Sequence, residues 1–182
     1  MRYFILLLLA VSLFSAERSG PYLGLGYGIG LLEDDGYYVA EKPESRTLLR
    51  AYGGAYLNEN FSVELDYTHF NAFEGEHALY GKLEEQFTLL TASAAVHYPV
   101  LDDTLDLFAK FGAGEVTWNE SGAADRSDSA AALLYGVGCS IRFMEVMSFK
   151  IGVDLAQFSL DDANQNYDML LQYGYGALEV QF

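Results

Sequence analysis

The sequence predicts an all-β fold, an eight-stranded antiparallel up-and-down transmembrane β-barrel. Three observations predict it: residues alternate strictly between two faces, the strands are long, and long and short connections alternate along the chain. Alternation with period two is the pattern of a strand. A tilted membrane strand needs about nine to eleven residues, whereas soluble strands usually have about five or six.

The N-terminal residues are interpreted as a secretory signal and are set apart from the fold. Arg2 precedes an apolar stretch that ends in the small residues Ser15 and Ala16, which is the order of regions in a signal peptide. The stretch is shorter than the about twenty residues of a membrane-spanning helix. The expected division is a signal peptide at residues 1–16 and a barrel domain at residues 17–182.

The composition excludes several classes of partner and site. A net charge of −16 with ten Lys and Arg residues argues against nucleic acid as a partner. A single cysteine leaves neither an internal disulfide nor a thiolate metal site. The glycines within 24–30 alternate along a strand with no helix after them, so they are not a nucleotide-binding loop. We therefore expect no cofactor and no dedicated metal site.

The first predicted strand, residues 22–31, shows the alternation most clearly. One of its faces is apolar and carries Leu23, Leu25, Tyr27, Ile29 and Leu31. Tyr22 and glycines occupy the other face. The same pattern places further strands at residues 46–57, 61–70, 86–98, 104–118, 131–143, 147–158 and 169–182.

The connections between the predicted strands are of two kinds. Long polar segments lie at 32–45, 71–85, 119–130 and 159–168, and short turns lie at 58–60, 99–103 and 144–146. Membrane barrels have short turns on the periplasmic side and longer loops outside. The even strand number then leaves both termini on the periplasmic side.

One face of each strand is bulky and apolar, while the other carries glycine and charge. In the fifth strand, Leu107 and Phe111 alternate with Asp106 and Lys110. This pattern indicates lipid outside and a tight polar lumen inside. Several aromatic residues fit the interfacial girdles of such barrels, namely Tyr27, Tyr67, Tyr98, Trp118 and Phe182.

Three stretches carry a resemblance to a known family. They are PYLGLGYGIG at 21–30, the hairpin YLNENFSVELDY at 56–67 and the terminus LEVQF at 178–182. The chain resembles the small eight-stranded outer-membrane barrels of Gram-negative bacteria, which include OmpA-like transmembrane domains and their stand-alone relatives. The resemblance implies location in the cell outer membrane. It also implies that the barrel assembly machinery reads Leu178, Val180 and Phe182 as its signal.

The resemblance departs from the two-domain members of the family at the C-terminus. The sequence ends at Phe182, so we expect no peptidoglycan-binding domain and no tethering of the membrane to the cell wall.

Charged residues predicted to face the lumen form the candidate site. They are Arg46, Arg50, Lys110, Arg142, Lys150, Glu64, Asp66, Asp106, Asp154 and Glu179. If 58–60 is a turn, Arg50 lies opposite Thr68 and diagonal to Asp66. Charges in a narrow barrel must be paired or hydrated. We expect an ion-pair network that plugs the lumen, and the alternative is a hydrated path for small ions.

The predicted outer loops are strongly acidic. Their carboxylates are those of Glu33, Asp34, Asp35, Glu41, Glu44, Glu74, Glu76, Glu84, Glu85, Asp125, Asp128, Asp161, Asp162 and Asp168. They could hold Ca²⁺ or Mg²⁺ shared with lipopolysaccharide phosphates, but they lack the spacing of a calcium loop. We expect a solvated, repulsive surface on a monomeric barrel that lies in outer-membrane lipid and lipopolysaccharide.

The histidines His69, His77 and His97 raise the question of an enzyme. Some barrels of this size act on the acyl chains of lipid A through a histidine near the outer rim. No Gly-x-Ser-x-Gly or other nucleophile motif accompanies these three, so we expect no catalytic residues and interpret them as isolated polar residues at the interface.

The sequence thus predicts a non-enzymatic barrel that supports the membrane and presents four acidic loops to a partner it does not identify. A small passive, porin-like channel is the first alternative. A lipid A-modifying enzyme and a soluble periplasmic ligand-binding barrel are the others.

Overall fold

The computed structural model describes residues 19–34, 45–77, 81–101, 104–121, 126–162 and 165–182. The predicted signal at 1–16 lies outside these residues. Within them, no helix is long and apolar enough to cross a membrane. The strands are β1 Gly20–Glu33, β2 Arg46–Asn58, β3 Phe61–Phe70, β4 Phe73–His77, β5 Gly81–Leu101, β6 Leu105–Ser121, β7 Arg126–Met144, β8 Met147–Asp162 and β9 Gln165–Gln181.

The strands form one antiparallel sheet that closes on itself. β1 pairs with both β2 and β9, and β3 pairs with both β2 and β5. The short β4 continues the line of β3 along β5 after a break at Asn71 and Ala72. Because β3 and β4 share one position in the wall, the barrel is eight-stranded, as predicted.

The predicted short turns at 58–60 and 144–146, with the described part of the one at 99–103, lie at one end of the barrel, called the turn end below. The register that the turn at 58–60 predicts is confirmed, since Arg50 pairs with Thr68 and Tyr52 with Asp66. The N-terminal residue Gly20 of β1 pairs with Tyr56 near that same turn.

The opposite, hairpin end differs from the prediction in the length of its strands. The β6–β7 ladder reaches the pair Glu120 and Arg126, and the β8–β9 ladder reaches Asp162 and Gln165. The described parts of the segments predicted as the loops 71–85, 119–130 and 159–168 are therefore largely paired strands, while most of the predicted loop 32–45 lies outside the described residues. The inward positions there include the buried glutamates Glu85 and Glu120, so backbone pairing continues without the apolar alternation that marks a strand in sequence.

The outer surface is apolar over the length of the wall. Leu25 is 72% exposed, Leu65 63% and Val137 61%. A soluble protein does not leave so many large apolar side chains in one continuous surface, whereas a membrane barrel requires them. Trp118 is an exception to the predicted aromatic girdle: its side chain is 2% exposed and lies inside the barrel.

Glycines on the inner face of β1 make room for aromatic rings in the lumen. A Cβ at Gly24 would overlap the ring of Tyr52. A Cβ at Gly30 would lie 2.5 Å from the ring of Phe70. Rings from neighbouring strands therefore occupy the space beside β1, and side chains fill the interior as expected for eight strands.

Candidate functional site

Arg50 on β2 lies at the centre of a buried group of charges. Its Nη2 is 2.7 Å from Glu64 Oε1, its Nη1 is 3.6 Å from Asp154 Oδ2, and its Nε donates to Asp66. The guanidinium carbon also lies 4.0 Å from the ring centroid of Tyr175. The Arg50 side chain has no exposed surface, so these groups take the place of water around its charge.

Two lysines extend the group toward the turn end. Lys110 Nζ is 2.7 Å from Asp154 Oδ2 and 3.4 Å from Glu64 Oε1. Lys150 Nζ is 3.2 Å from Glu64 Oε2 and 3.1 Å from Glu179 Oε2. Glu64 thus contacts all three cations. We name these residues the central cluster: Arg50, Lys110, Lys150, Glu64, Asp66, Asp154 and Glu179.

Hydroxyl groups add hydrogen bonds to the carboxylates of the central cluster. Tyr22 OH donates to Glu64 Oε2 at 3.2 Å, Tyr56 OH to Glu179 Oε1 at 2.9 Å and Thr68 Oγ1 to Asp66 Oδ1 at 2.7 Å. A buried ion pair offsets the free energy of removing its charges from water only when further hydrogen bonds satisfy the remaining atoms. The three donors meet that requirement for three of the carboxylates.

A second polar group lies between the central cluster and the turn end. His97 Nδ1 is 2.7 Å from Asp106 Oδ2, and its Nε2 is 2.8 Å from Ser62 Oγ. His97 and Asp106 are each 1% exposed and Ser62 is 2% exposed. The interpretation of His97 as an isolated interfacial residue is therefore wrong.

Ser62, His97 and Asp106 have the order of contacts found in a Ser-His-Asp triad. A nucleophile must also be reached by the atom that it attacks, and Ser62 Oγ is enclosed, with Tyr22 OH 3.5 Å away. His69 contacts Thr88 Oγ1 at 3.0 Å through Nδ1. The side chain of His77 lies outside the described residues.

Three predicted lumen residues do not join the central cluster. Arg46 lies near the hairpin end, where Nη2 is 3.3 Å from Glu74 Oε1 and Nε donates to the Ala72 carbonyl at 2.7 Å. Arg142 is half-buried near the turn end and makes no ion pair with the part of the chain that the structure describes. Asp106 pairs with His97 instead of a lysine or arginine, because the β5–β6 register sets it two residues from the histidine's cross-strand partner.

The interior of the hairpin half contains an apolar layer, which corrects the expectation of a polar lumen throughout. Phe87 and Phe158 have ring centroids 5.9 Å apart, Phe73 and Phe87 5.8 Å, and Trp118 and Phe158 6.5 Å. With Phe70 these residues are 3% exposed or less. We name them the aromatic cluster: Phe70, Phe73, Phe87, Trp118 and Phe158. Buried leucines pack around it.

The sequence carries a signal for this apolar layer. Neighbouring leucines interrupt the alternation in several strands, and in each such pair one side chain is buried while the other is more exposed. The pairs are 31–32, 48–49, 89–90, 133–134 and 170–171. A strand that is apolar on both faces at one height indicates lipid outside and an apolar interior at that height.

The described acidic residues of the predicted loops are partly exposed and partly buried. Glu33, Glu74, Glu84, Asp128 and Asp168 are exposed, whereas Asp34 and Glu85 are buried. The remaining predicted loop carboxylates belong to side chains outside the described residues: Asp35, Glu41, Glu44, Glu76, Asp125, Asp161 and Asp162. Within the described residues, no three His, Cys, Asp or Glu side chains are grouped so that they could hold a metal ion.

Solved structures of small outer-membrane barrels share this architecture. Neisserial surface protein A superposes with a TM-score of 0.70 at 12% identity, over 89% of this chain and 97% of that one. OprG from Pseudomonas aeruginosa superposes with a TM-score of 0.62 at 12% identity, over 91% of this chain and 97% of that one. Ail, the attachment invasion locus protein of Yersinia pestis, superposes with a TM-score of 0.55 at 15% identity, over 89% of this chain and 99% of that one.

Sequence comparison gives the family. No curated protein sequence matches the chain significantly. The family model described as the outer membrane protein beta-barrel domain matches residues 4–177. The chain therefore belongs to the outer membrane protein beta-barrel family and is an outer-membrane protein of the Gram-negative type.

Proposed function

We propose that this protein is a non-enzymatic barrel whose lumen is sealed, and that it acts through its place in the membrane and its acidic outer surface. The observation that carries the proposal is the filling of the lumen by two different layers. Short turns of such barrels face the periplasm, so the central cluster occupies the periplasmic half. The aromatic cluster occupies the extracellular half.

The central cluster supports a seal because an ion can pass only by displacing paired charges. The charged end of Arg50 has no exposed surface, and Glu64 binds three cations at once. Removing one partner of a buried ion pair typically costs about 3–5 kcal/mol. The central cluster therefore opposes a continuous water path through the periplasmic half.

The aromatic cluster supports a seal of a different kind. Its rings are in contact across the lumen, and Phe70, Phe73 and Phe87 have no exposed surface. An ion in this layer would leave its water shell without gaining polar partners, which is strongly unfavourable. The two layers act in series, so the loss of one leaves the other in place.

The surroundings of the described histidines support the proposal that the barrel is not an enzyme. Ser62 is buried and contacts Tyr22 and His97. His69 contacts Thr88 near the end of its strand. Neither site offers an exposed nucleophile beside an activating base.

The outer surface is proposed to carry the biological interaction. Exposed Glu33, Glu84, Asp128 and Asp168 lie at the hairpin end, and the chain has a net charge of −16. Such a surface repels anions and favours basic partners or partners bridged by divalent ions. We propose a monomer in outer-membrane lipid and lipopolysaccharide.

The terminal residues are proposed to guide assembly. Leu178 and Phe182 are exposed on the apolar exterior, and Val180 is partly exposed on the same face. The proposed reader is the barrel assembly machinery. Phe182→Ser is expected to lower the amount of folded protein in the outer membrane of cells, while purified protein still folds in detergent. Unchanged assembly in cells would contradict this role.

The sealed lumen is tested by the permeability of vesicles that contain the folded protein. Vesicles loaded with a potassium-sensitive dye are expected to hold a potassium gradient as long as protein-free vesicles do. Rapid loss of the gradient, with folding verified by gel mobility before and after heating, would instead favour the small passive channel.

A further inference from the structure

The central cluster contains one more carboxylate than it has cations. Glu64, Asp66, Asp154 and Glu179 face Arg50, Lys110 and Lys150, and each of these side chains is 5% exposed or less. An unbalanced charge buried this deeply carries a large penalty, which a buried group usually relieves by binding or releasing a proton. A proton is also the smallest ligand that balances the cluster.

Asp154 is the carboxylate of the central cluster that receives no hydrogen bond from a hydroxyl group within the described residues. Glu64 meets three cations and a tyrosine hydroxyl, Asp66 meets Arg50 and Thr68, and Glu179 meets Lys150 and Tyr56. On Asp154 only Oδ2 contacts cations, at 2.7 Å and 3.6 Å. Its Oδ1 has no hydrogen bond within the described part of the chain, although the side chain has no exposed surface.

A chain of hydrogen bonds leads from the central cluster toward the turn end. Tyr22 OH lies 3.2 Å from Glu64 Oε2 and 3.5 Å from Ser62 Oγ. Ser62 Oγ lies 2.8 Å from His97 Nε2, and His97 Nδ1 lies 2.7 Å from Asp106 Oδ2. Every member of this chain can both donate and accept a proton except an ionised carboxylate, which accepts.

We propose that the central cluster is a binding site for one proton, which rests on Asp154 and exchanges with the periplasm through Asp106, His97, Ser62 and Tyr22. The proposal goes beyond the sealed lumen, because a closed barrel need not hold an exchangeable proton. The aromatic cluster offers no polar step toward the extracellular side, so exchange is confined to the periplasmic side.

The proton transfer is balanced at each step. His97 takes a proton at Nδ1 from the Asp106 side and gives one from Nε2 to Ser62 Oγ. Ser62 gives its proton to the Tyr22 oxygen, and Tyr22 gives its own to Glu64 Oε2. Lys110, which contacts both Glu64 and Asp154, gives a proton to Asp154 and is restored from Glu64.

Titratable groups face this site from nearly every strand. They are Tyr22 on β1, Arg50, Tyr52 and Tyr56 on β2, Glu64 and Asp66 on β3, His97 on β5, Asp106 and Lys110 on β6, Lys150 and Asp154 on β8, and Tyr173, Tyr175 and Glu179 on β9. β7 faces Lys110 and Asp154 with Gly136. The charge balance of the central cluster therefore depends on its carboxylates, lysines and arginine, and Asp106 is the group through which a proton enters.

The bound proton is tested by infrared spectroscopy of the full-length folded protein in lipid vesicles at neutral pH. Wild type is expected to show the carbonyl stretch of one protonated carboxylic acid, shifted in heavy water. Asp154→Asn balances the charges and is expected to abolish the band. Glu179→Gln is the second variant and is expected to do the same, since it too removes the excess carboxylate.

Removing a cation from the central cluster is expected to strengthen the infrared band instead of abolishing it. Lys110→Met removes a cation, so a second protonated carboxyl and a band of about twice the intensity are expected, since each uncompensated buried charge binds its own proton. Arg142→Gln, which lies outside the central cluster, is the control and should leave the band unchanged. A wild-type spectrum without the band would overturn the proposal.

The path is tested by the rate at which the band responds to a pH jump. His97→Phe and Ser62→Ala are each expected to slow the response about tenfold, which corresponds to about 1.4 kcal/mol of added barrier. Rates equal to wild type in both variants would overturn the path. Ion permeability measures the seal and the infrared band measures the proton, so the failure of one proposal is distinguishable from the failure of the other.

Discussion

Arg50 on β2 and Asp66 on β3 lie diagonally across neighbouring strands, and the arginine Nε donates a hydrogen bond to the Asp66 carboxylate inside the barrel. The short turn at 58–60 sets this relationship, because it pairs Arg50 with Thr68 and Tyr52 with Asp66. Local turn geometry thus positions the first contact of the central cluster, and strands distant in sequence supply the rest.

Arg50→Ala is expected to destabilise the folded barrel by about 3–5 kcal/mol, because it leaves several buried carboxylates without their shared cation. The free energy of unfolding, measured by urea titration in lipid vesicles, tests this. Arg142→Ala is the matched control and is expected to change stability by less than about 0.5 kcal/mol, as is usual for partly exposed residues without strong contacts. Equal stability of the two variants would contradict a structural role for the central cluster.

The barrel wall could be read from the sequence, because alternation reports directly which side chains face lipid. Leu23 and Leu25 on β1 are exposed, and Gly24 between them faces inward. The paired part of the hairpin end was missed, since the first residues of β5 have no apolar alternation: the buried inward position 85 carries a glutamate. Strand pairing there is a property of the backbone, which the side chains do not reveal.

The membership of the central cluster was harder to predict than its existence. Alternation places Arg46 and Arg142 on the inner face with Arg50, but it gives no height along the barrel. The structure places Arg46 beside Glu74 at the hairpin end. The contact between Lys150 and Glu179 follows from the β8–β9 pairing. The contact between Lys150 and Glu64 depends instead on the distance between side chains across the lumen.

Gly28→Ala is expected to destabilise the barrel by about 1–3 kcal/mol, the usual effect of overpacking. A Cβ at Gly28 would overlap the carbonyl oxygen of Gly174 and lie 3.0 Å from Tyr175 Cα, and backbone atoms cannot move aside easily. Gly174→Ala is the control, because the nearest atom to its Cβ would be 4.0 Å away. Thermal unfolding in detergent compares them, and equal midpoints would contradict the close packing of β1 on β9.

Leu65→Arg is expected to cost about 2–4 kcal/mol of folding free energy in lipid vesicles, the range for arginine on the lipid face near the bilayer midplane. Leu65 is 63% exposed in the middle of β3. Glu84→Arg at the exposed hairpin end is the control and is expected to change stability by about 0–1 kcal/mol. A tolerated arginine at Leu65 would show that this face does not lie in lipid.

Phe158→Ala is expected to destabilise the barrel by about 3–5 kcal/mol, because it leaves a cavity between Phe87 and Trp118. Phe149→Ala on the same strand but on the outer surface is the control. Lipid chains can fill the space that Phe149 leaves, so its loss is expected to be smaller. If the two variants unfold at the same urea concentration, the aromatic cluster is not a packed layer.

The central claim is that two layers in series close the lumen, and its most direct measurement is ion conductance in planar bilayers with folding verified in the same sample. Wild type, Arg50→Ala and Phe158→Ala are each expected to remain without steps, whereas the double variant is expected to show them. Reproducible steps from folded wild-type protein, altered by Lys110→Met, would contradict the seal and identify the lumen as a path for ions.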